Sequence, residues 1–448
     1  MKKNKNIYFL TLICFWITSC EMLDVDPPYD TILSENAITD KRGLDAAVNG
    51  VYDGLQSGAI VLDYVVIADI AADNLRAAGS KIDYINIDNN DSFSNNIYVE
   101  AVWNAHFDVI NRVNNVLVNL SSVSGLSDAE INRTEAEMRT VRALCYFNLV
   151  RMYGGVPLRD EPVAGASNEE LFIGRASKSE TYTFISDDLE TAAQLMEGSG
   201  KGSGLKVDEP TILALLARVK LYQEDWPAAE AYAKSVINEF GLELDPDYEA
   251  IFDENSPSEE IIFQIDFVND NDINPIAKWL LAAGRYEAAA TEEIFELYQT
   301  GDNRFTVSVG ESNGDYYANK YNNLQNENDS WIVVRLAEMY MVAAEAINEQ
   351  SYDANSEAFD FLNAIRDRAG LADVGPLDAT NQEILRRAIA LERRKELAFE
   401  GHRWHDLVRT DRAMEVLEIT NPNKLLFPIP QSELNTNNHP DMVQNADY

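Results

Sequence analysis

The sequence predicts a mainly α fold, in which TPR-like helix pairs form a curved scaffold and a loop-rich half carries short β-hairpins. Three observations predict it. Apolar residues recur at helical spacing along much of the chain. The helical segments come in pairs of about 30–40 residues, the length of TPR-like units. Polar, irregular stretches separate the pairs. Because such units stack into a curved surface, the pattern favours a protein that binds partners.

Size and composition exclude several classes of protein. The chain has 448 residues, of which 46% are hydrophobic and 25% are charged. These values are ordinary for a globular protein with a large core, and they exclude a disordered, collagen-like or polytopic membrane chain. The 75 acidic residues outnumber the 36 basic ones, for a net charge of −39. Since nucleic-acid binding needs a basic surface, we expect no nucleic-acid partner.

The N-terminus predicts a lipoprotein signal peptide at residues 1–19. A lysine-rich start precedes an uncharged apolar run at 7–17, and small residues precede Cys20. The run is too short to span a bilayer but suits a signal peptide. We expect Cys20 to be acylated and residues 20–39 to form a lipidated tether. The alternative is an ordinary signal peptide with an incidental cysteine. Cys14 leaves with the signal and Cys145 stands alone, so we expect no disulfide framework.

Each helix is predicted from its own signals. Ser127 and Glu130 form a capping box, and the helix behind it ends at Gly154. Arginine pairs interleave with glutamates between 383 and 396, which we interpret as a salt-bridged helix face. The predicted pairs are 40–55 with 99–120, 211–222 with 226–240, 331–348 with 354–369, and 382–400 with 402–417.

Between the pairs the chain reads differently. Residues 61–98 are polar and loop-rich, 260–268 predict a strand, and 269–290 form a long irregular segment. Asn313-Gly314 between apolar runs predicts a β-hairpin. Long loops on a rigid scaffold often carry function. We therefore expect residues 40–448 to form a single domain whose variable binding loops are 61–98 and 269–290.

The sequence contains matches to catalytic and metal-binding motifs, but the residues around them do not fit the structures that these motifs require. The G-x-S-x-G match at 310–314 fits a hairpin turn better than the strand–turn–helix that a nucleophile needs. His402 and His405 lack a third ligand motif, so packing explains them better than a metal does. The sequence therefore predicts no catalytic residue, no metal and no cofactor.

Several blocks, spread over nearly the whole chain, form a specific combination. They are Trp103-x3-Phe107-x2-Ile110-x3-Asn114, Arg139 to Leu158, Arg335 to Tyr340, Leu362 to Leu371, Glu392 to Leu407, and a terminal Gln444-Asn445-x3-Tyr448. Together they resemble the SusD/RagB family of outer-membrane nutrient-binding lipoproteins of Bacteroidetes. Ala446-Asp447 departs from the family's ending.

The resemblance implies a fold and a role. The fold is four TPR-like helix pairs plus a loop-rich half. The role is that of a non-catalytic lipoprotein at the cell surface, held in the outer-membrane lipid by acylated Cys20. It captures oligosaccharide, with neutral glycan favoured, and delivers it to a TonB-dependent SusC-like transporter. Alternatives are a RagB-like peptide-binding uptake protein, a structural lid and, less favoured, a surface hydrolase.

The ligand site is predicted from residues outside those blocks. Sugars are bound by aromatic platforms with polar side chains around them. Trp279 lies in an irregular loop outside every block, with Tyr286 nearby; packing of the loop is its alternative role. In the family, this region and residues 70–98 commonly contribute to the glycan site. The further candidates are Asn74, Arg76, Tyr84, Phe93 and Asn95.

A polyanionic glycan would need a local basic patch. Lys81, Arg76, Lys278 and Arg285 could form one only if the two loops converge. The sequence gives no reason to expect that convergence, so neutral glycan stays the preferred ligand.

Overall fold

The computed structural model describes residues 38–163, 171–254, 258–267, 273–298 and 300–448. The predicted signal peptide, Cys20 and nearly all of the predicted tether lie outside the described residues. Long helices dominate the described part, which confirms the mainly α prediction. No single helix there is both long and apolar enough to cross a membrane; Lys41–Leu55 and Ala59–Ile70 reach that length and composition only as one bent pair.

The α-helices form most of the scaffold. In chain order they are α1 (Lys41–Leu55), α2 (Tyr64–Ile70), α3 (Ile82–Asp88), α4 (Ile97–Leu120), α5 (Asp128–Tyr153), α6 (Lys178–Met196), α7 (Glu209–Tyr222), α8 (Trp226–Glu239), α9 (Ile276–Leu280), α10 (Glu292–Leu297), α11 (Phe305–Ser308), α12 (Leu336–Gln350), α13 (Glu357–Arg368), α14 (Gln382–Glu396), α15 (Arg403–Arg409), α16 (Ala413–Val416) and α17 (Gln431–Thr436). A π-helix at Ala59–Asp63 precedes α2, and 3₁₀ turns lie at Ala250–Phe252 and Pro422–Leu425.

The strands form small antiparallel pairs. They are β1 (Leu75–Ala77), β2 (Ile261–Ile265), β3 (Ala288–Ala290), β4 (Val309–Ser312), β5 (Asp315–Ala318) and β6 (Trp331–Arg335). In the described residues β1 pairs with β3, β2 with β6 and β4 with β5. Two of these pairings, β1 with β3 and β2 with β6, join segments that lie far apart in sequence.

Neighbouring helices pack in pairs. The most extensive helix contacts join α5 to α6, α8 to α12, α7 to α8, α4 to α5, α12 to α13 and α1 to α4. The predicted pairs at 40–55 with 99–120 and at 211–222 with 226–240 are confirmed. Helix α6 has no counterpart among the predicted segments. The TPR-like character of the pairs stays a prediction.

Local signals set several helix ends. The Ser127 side chain accepts from the Glu130 backbone, and the Glu130 side chain accepts from the Ser127 backbone, so the predicted capping box is confirmed. Gly154 ends the same helix with φ +76°, a conformation that favours glycine. The predicted hairpin is also confirmed, because Asn313 and Gly314 turn between β4 and β5 with φ of +55° and +90°.

Three expectations are wrong. Residues 331–335 are strand β6 rather than the start of a helix, because a β-branched run pairs with β2, and the helix begins at Leu336. The segment 61–98 is not a polar loop at its start, since 59–70 is helical and buries nearly all its apolar side chains. The predicted helix at 382–400 stops at Glu396, and 402–417 divides into α15 and α16.

Candidate ligand-binding face

The two predicted binding loops converge. Strand β1 pairs with β3 so that Arg76 lies opposite Ala289 and Ala77 lies opposite Ala288. The pairing continues where the backbone N–H groups of Ala78 and Gly79 donate to the Glu287 carbonyl at 3.0 and 3.3 Å. All three alanines of β3 are fully buried, and their small side chains permit this close approach. The two loops are therefore close enough for their side chains to share one site.

Around this junction several aromatic and basic side chains meet. We call the group the junction face, and its members are Arg76, Lys81, Tyr98, Trp279, Arg285 and Tyr286.

Trp279 lies at the centre of the junction face, in the one-turn helix α9, and is half-buried. The Lys81 Nζ lies 5.3 Å from its ring centroid and the Arg285 guanidinium lies 4.9 Å from it. Both distances suit cation–π attraction. The Arg285 backbone N–H donates to the Lys278 carbonyl at 2.6 Å, which folds the chain back over helix α9. The indole therefore carries two cations rather than standing alone as a bare platform.

Lys81 links the tryptophan to a layer of tyrosines. Its Nζ donates to the Tyr98 hydroxyl at 2.5 Å and lies 5.1 Å from the Tyr98 ring. Tyr84 packs behind Tyr98 with ring centroids 4.4 Å apart and donates to Asp63 at 3.1 Å. Burial raises the pKa of Asp63 to about 6. The half-buried Tyr98, backed by the buried Tyr84, holds Lys81 beside Trp279.

Tyr286 connects the junction face to the hairpin. Its backbone has φ +51°, and its hydroxyl donates to the Tyr316 carbonyl of β5 at 2.6 Å. Burial, followed by the charge of Asp315, raises the pKa of Tyr286, and Arg76 opposes that rise. Arg76 itself is exposed on β1. The predicted candidates Trp279, Tyr286 and Arg76 are thus brought to one face.

Two predicted candidates are buried and form part of the scaffold, which corrects their proposed role. Asn74 is fully buried, donates to Asp69 at 2.7 Å and accepts from Arg394 at 3.0 Å. Tyr84 is also fully buried. Their polar groups have partners inside the protein, so neither side chain is available to a ligand at the surface.

Phe93 and Asn95 are exposed, in the turn before α4. Phe93 exposes 52% of its surface. The turn lies beside the C-terminal segment, where the Gln431 backbone N–H donates to the Ser94 carbonyl at 2.7 Å. The contacts of the described residues do not join Phe93 or Asn95 to Trp279, so the roles of both stay predictions.

Sequence reasoning missed Tyr98 and the contacts of Lys81 and Arg285 with Trp279. Tyr98 looked like an ordinary helical residue. Its position was readable in part, because Asn96 caps α4 and accepts from the Tyr98 backbone N–H at 3.1 Å. A cap places the next side chains at the helix entrance, beside the preceding loop. The contact with Trp279 itself depends on the β1–β3 pairing.

The charges at this surface balance. The Lys278 Nζ lies 2.7 Å from Glu327, and Arg285 lies 3.5 Å from Glu287. Asp63 acts on Lys81, and Asp88 acts on Arg76. Four cations therefore face four carboxylates. The loops converge as a basic patch requires, but the patch has no net positive charge.

The motifs that the sequence analysis rejected as catalytic or metal sites have structural roles. Gly310 to Gly314 forms the β4–β5 hairpin, without the helix that a nucleophile elbow needs. His402 and His405 are buried, and burial lowers the pKa of both well below the usual range. Within the described ranges, no three His, Cys, Asp or Glu side chains are grouped to hold a metal ion.

Comparisons with known proteins agree with this architecture. Residues 311–425 match the family described as the SusD family, and residues 21–221 match one described as starch-binding, associating with the outer membrane. The sequence is 26% identical to SusD-like protein P2 of Formosa agariphila over 98% of both chains.

Solved structures agree as well. The fold is similar to a laminarin-binding SusD-like protein, with TM-score 0.79 and 25% identity over 92% of this chain and 100% of that one. It is also similar to a SusD superfamily protein of Bacteroides vulgatus, with TM-score 0.81 and 21% identity over 91% and 99% of the two chains. With its helical scaffold and its matches to both families, the chain belongs to the SusD/RagB family.

Proposed function

We propose that the protein is a cell-surface glycan-binding lipoprotein that captures oligosaccharide at the junction face. Acylated Cys20 anchors it in the outer membrane, and it delivers the glycan to a TonB-dependent SusC-like transporter. Related proteins described as starch-binding and laminarin-binding support a glycan ligand. A matching family described as associating with the outer membrane supports the location.

The convergence of two loops at Trp279 is the observation that carries the proposal. A sugar presents apolar C–H faces and a rim of hydroxyls. The indole provides apolar contact, while Lys81 and Arg285 provide donors for hydroxyl oxygens next to it. Because β1–β3 pairing and the Tyr98 contact hold these groups in place, little ordering is required on binding.

The charge balance supports a neutral glycan. A polyanion would meet cations that already have carboxylate partners, such as Lys278 with Glu327. It would also approach a chain with net charge −39. A neutral polymer avoids both costs. The role we propose is binding without catalysis, and a peptide ligand is the alternative outcome of the test below.

Affinity electrophoresis of the soluble chain starting at Glu21 tests the proposal. The panel contains neutral and acidic polysaccharides, and Trp279→Ala is compared with Trp226→Ala. Trp226 is also a half-buried tryptophan but begins helix α8, outside the junction face. We expect retardation by a neutral polymer that Trp279→Ala weakens by about thirtyfold or more, as for a central aromatic contact worth about 2 kcal/mol.

The possible outcomes distinguish a glycan-binding protein from a peptide-binding protein and from a hydrolase. Trp226→Ala should bind like the parent. Equal binding by parent and Trp279→Ala would contradict the location of the site. No retardation by any polymer would contradict the glycan ligand, and a peptide screen would then test the RagB-like alternative. Release of reducing ends during incubation would contradict the non-catalytic role.

A further inference from the structure

A second concave site, apart from the junction face, is lined largely by arginines. It lies among α12, α14, α15 and the turn that follows α15, and its cavity has a volume of about 50 Å³. Of the described residues, three carboxylates line it, those of Glu345, Glu383 and Asp406. The arginines of its lining are Arg386, Arg387, Arg393, Arg394, Arg403, Arg409 and Arg412. In a chain of net charge −39, such a concentration of guanidinium groups needs a physical reason.

Part of that reason is structural. Arg409 binds Glu345 in a bidentate pair at 2.5 and 2.8 Å, and Arg403 binds Asp73 in the same way at 2.6 and 2.8 Å. These pairs are buried and hold the walls in place. In each pair, two guanidinium N–H groups donate to the two oxygens of one carboxylate. Arg386 and Arg394 are likewise paired, with Glu349 and Glu293.

Two of the arginines are not fully satisfied. Arg393 is 1% exposed, and its Nε donates to Asp406 at 2.8 Å. Its Nη1 is buried and has no hydrogen-bond partner among the described residues. For the Arg412 side chain, the described ranges supply neither a hydrogen bond nor an ion pair. A buried donor without a partner costs about 1–3 kcal/mol, so a ligand that accepts from it is stabilised.

The local field at Arg412 is positive. Burial lowers the pKa of Arg412, and the charges of Arg403 and Arg387 lower it further. Glu415 and Asp73 oppose this repulsion only in part. An anion bound beside Arg412 would relieve this repulsion, and it would also supply the acceptor that Arg393 Nη1 lacks.

The size and lining of the cavity limit the class of anion that it could hold. A single water needs roughly 10–15 Å³ of such volume, so about 50 Å³ holds several waters or one small oxyanion. Arg393 lies on α14, whereas Arg412 lies in the turn that follows α15. A tetrahedral oxyanion offers acceptors in several directions, whereas a carboxylate offers them in one plane. Ala390, Leu397 and Leu407 supply the apolar part of the lining.

We propose that this arginine cavity binds a tetrahedral oxyanion of the phosphate or sulfate class, with Arg393 and Arg412 as its direct donors. Arg387 and Arg403 add to the attraction through their charge. Neither Trp279 nor any other member of the junction face lines the cavity. The proposal therefore stands or falls separately from glycan binding.

Isothermal titration calorimetry with inorganic phosphate, and separately with sulfate, tests the proposal on the soluble chain. Chloride at the same ionic strength serves as the reference anion. We expect saturable phosphate binding in the parent and binding about ten- to a hundredfold weaker in Arg412→Gln, which removes a charged donor. Among the described residues Arg412 forms no ion pair, so this variant should keep the fold.

Arg42→Gln is the matched control, because it removes one arginine charge from an exposed position on α1. It should bind phosphate like the parent. Arg387→Gln should weaken binding a few-fold through charge alone. A further arm with glycerol 3-phosphate distinguishes a free ion from a phosphate ester, and either source supports the site. Phosphate binding that equals chloride, or that Arg412→Gln leaves unchanged, would overturn the proposal.

Discussion

The substitution Glu396→Gln removes one negative charge from the centre of a buried ion network while keeping the size of the side chain. The Glu396 carboxylate accepts from Arg335 at 2.5 Å, from Arg304 at 3.0 Å and from Arg368. Burial alone would raise the pKa of Glu396, but these three guanidinium groups outweigh it and hold that pKa well below its usual range. The charged form is therefore the one that the fold stabilises.

The cost of the substitution follows from the charge balance. Among the described residues, ten charged side chains that are each at most 4% exposed form the network, five of each sign, and the less buried Arg366 joins it at Glu392. The cations are Arg304, Lys320, Arg335, Arg368 and Lys395, and the carboxylates are Glu260, Asp302, Glu392, Glu396 and Glu400.

Glutamine at 396 leaves one buried positive charge without compensation and turns an amide NH₂ toward guanidinium donors. Breaking a buried pair in this way costs about 3–5 kcal/mol. That is a large part of the roughly 5–15 kcal/mol by which a folded domain is stable.

Urea unfolding followed by far-UV circular dichroism at pH 7 measures the effect. The control is Glu383→Gln on the same helix, because Glu383 also pairs with two arginines but its side chain is 52% exposed. Exposed ion pairs contribute only about 0–1 kcal/mol. If Glu396→Gln lowers the free energy of unfolding no more than Glu383→Gln does, the reasoning from burial is refuted.

Three further substitutions test other parts of the account. Gly155→Ala should destabilise the fold by about 1–3 kcal/mol, because the added Cβ would lie 1.9 Å from the Ala176 carbonyl oxygen. Ser127→Ala should cost about 0.5–2 kcal/mol, since it removes the acceptor for the Glu130 backbone N–H at the start of α5. Asp69→Asn should gain stability relative to the parent as the pH rises from about 4 to 7. Burial raises the pKa of Asp69 to about 7, so above about pH 4 the unfolded parent releases this proton while the folded parent retains it. The parent therefore loses up to about 4 kcal/mol of stability by pH 7.

The same urea assay checks these three, and each has its own contrary result. Gly58→Ala is the control for Gly155→Ala, because its added Cβ meets no atom within 4 Å. Equal stability of the two glycine variants would contradict the steric argument. An unchanged Ser127→Ala would mean that water replaces the cap without cost. A constant difference between Asp69→Asn and the parent from pH 4 to 7 would show that folding does not raise the pKa of Asp69.

Sequence signals were sufficient where they are local. The capping box at Ser127, the stop at Gly154 and the turn at Asn313-Gly314 each depend on residues next to one another, and each was predicted correctly. Residues 331–335 were assigned to a helix because their strand partner, β2, lies about seventy residues earlier. Apolar runs cannot distinguish a helix from a buried strand without that partner.

The charged face of α14 shows the same limit. Its interleaved arginines and glutamates indicated ion pairs, and ion pairs are present. Glu392 to Glu396 are buried and bind partners from distant segments, whereas Glu383 and Arg387 face solvent. Sequence spacing gives the pairs within one helix, but burial depends on which elements cover it.

The candidate site was predictable in part. Trp279 stands out because the sequence predicts an irregular segment around it, outside the family blocks. The structure places it in the short helix α9, at the junction of the two loops. Asn74 and Tyr84 were selected as polar or aromatic residues of a loop, but Asp69, Arg394 and Asp63 satisfy them inside the protein. Only tertiary contacts reveal whether a polar side chain has such a partner.

Hydrogen–deuterium exchange of the soluble chain, with and without the polysaccharide that retards it, tests the central claim that two distant segments form one glycan site. We predict that bound glycan slows exchange in both 75–98 and 274–290, because β1–β3 pairing joins them around Trp279. Slowed exchange in neither segment, or protection confined to the helix pairs, would contradict the account.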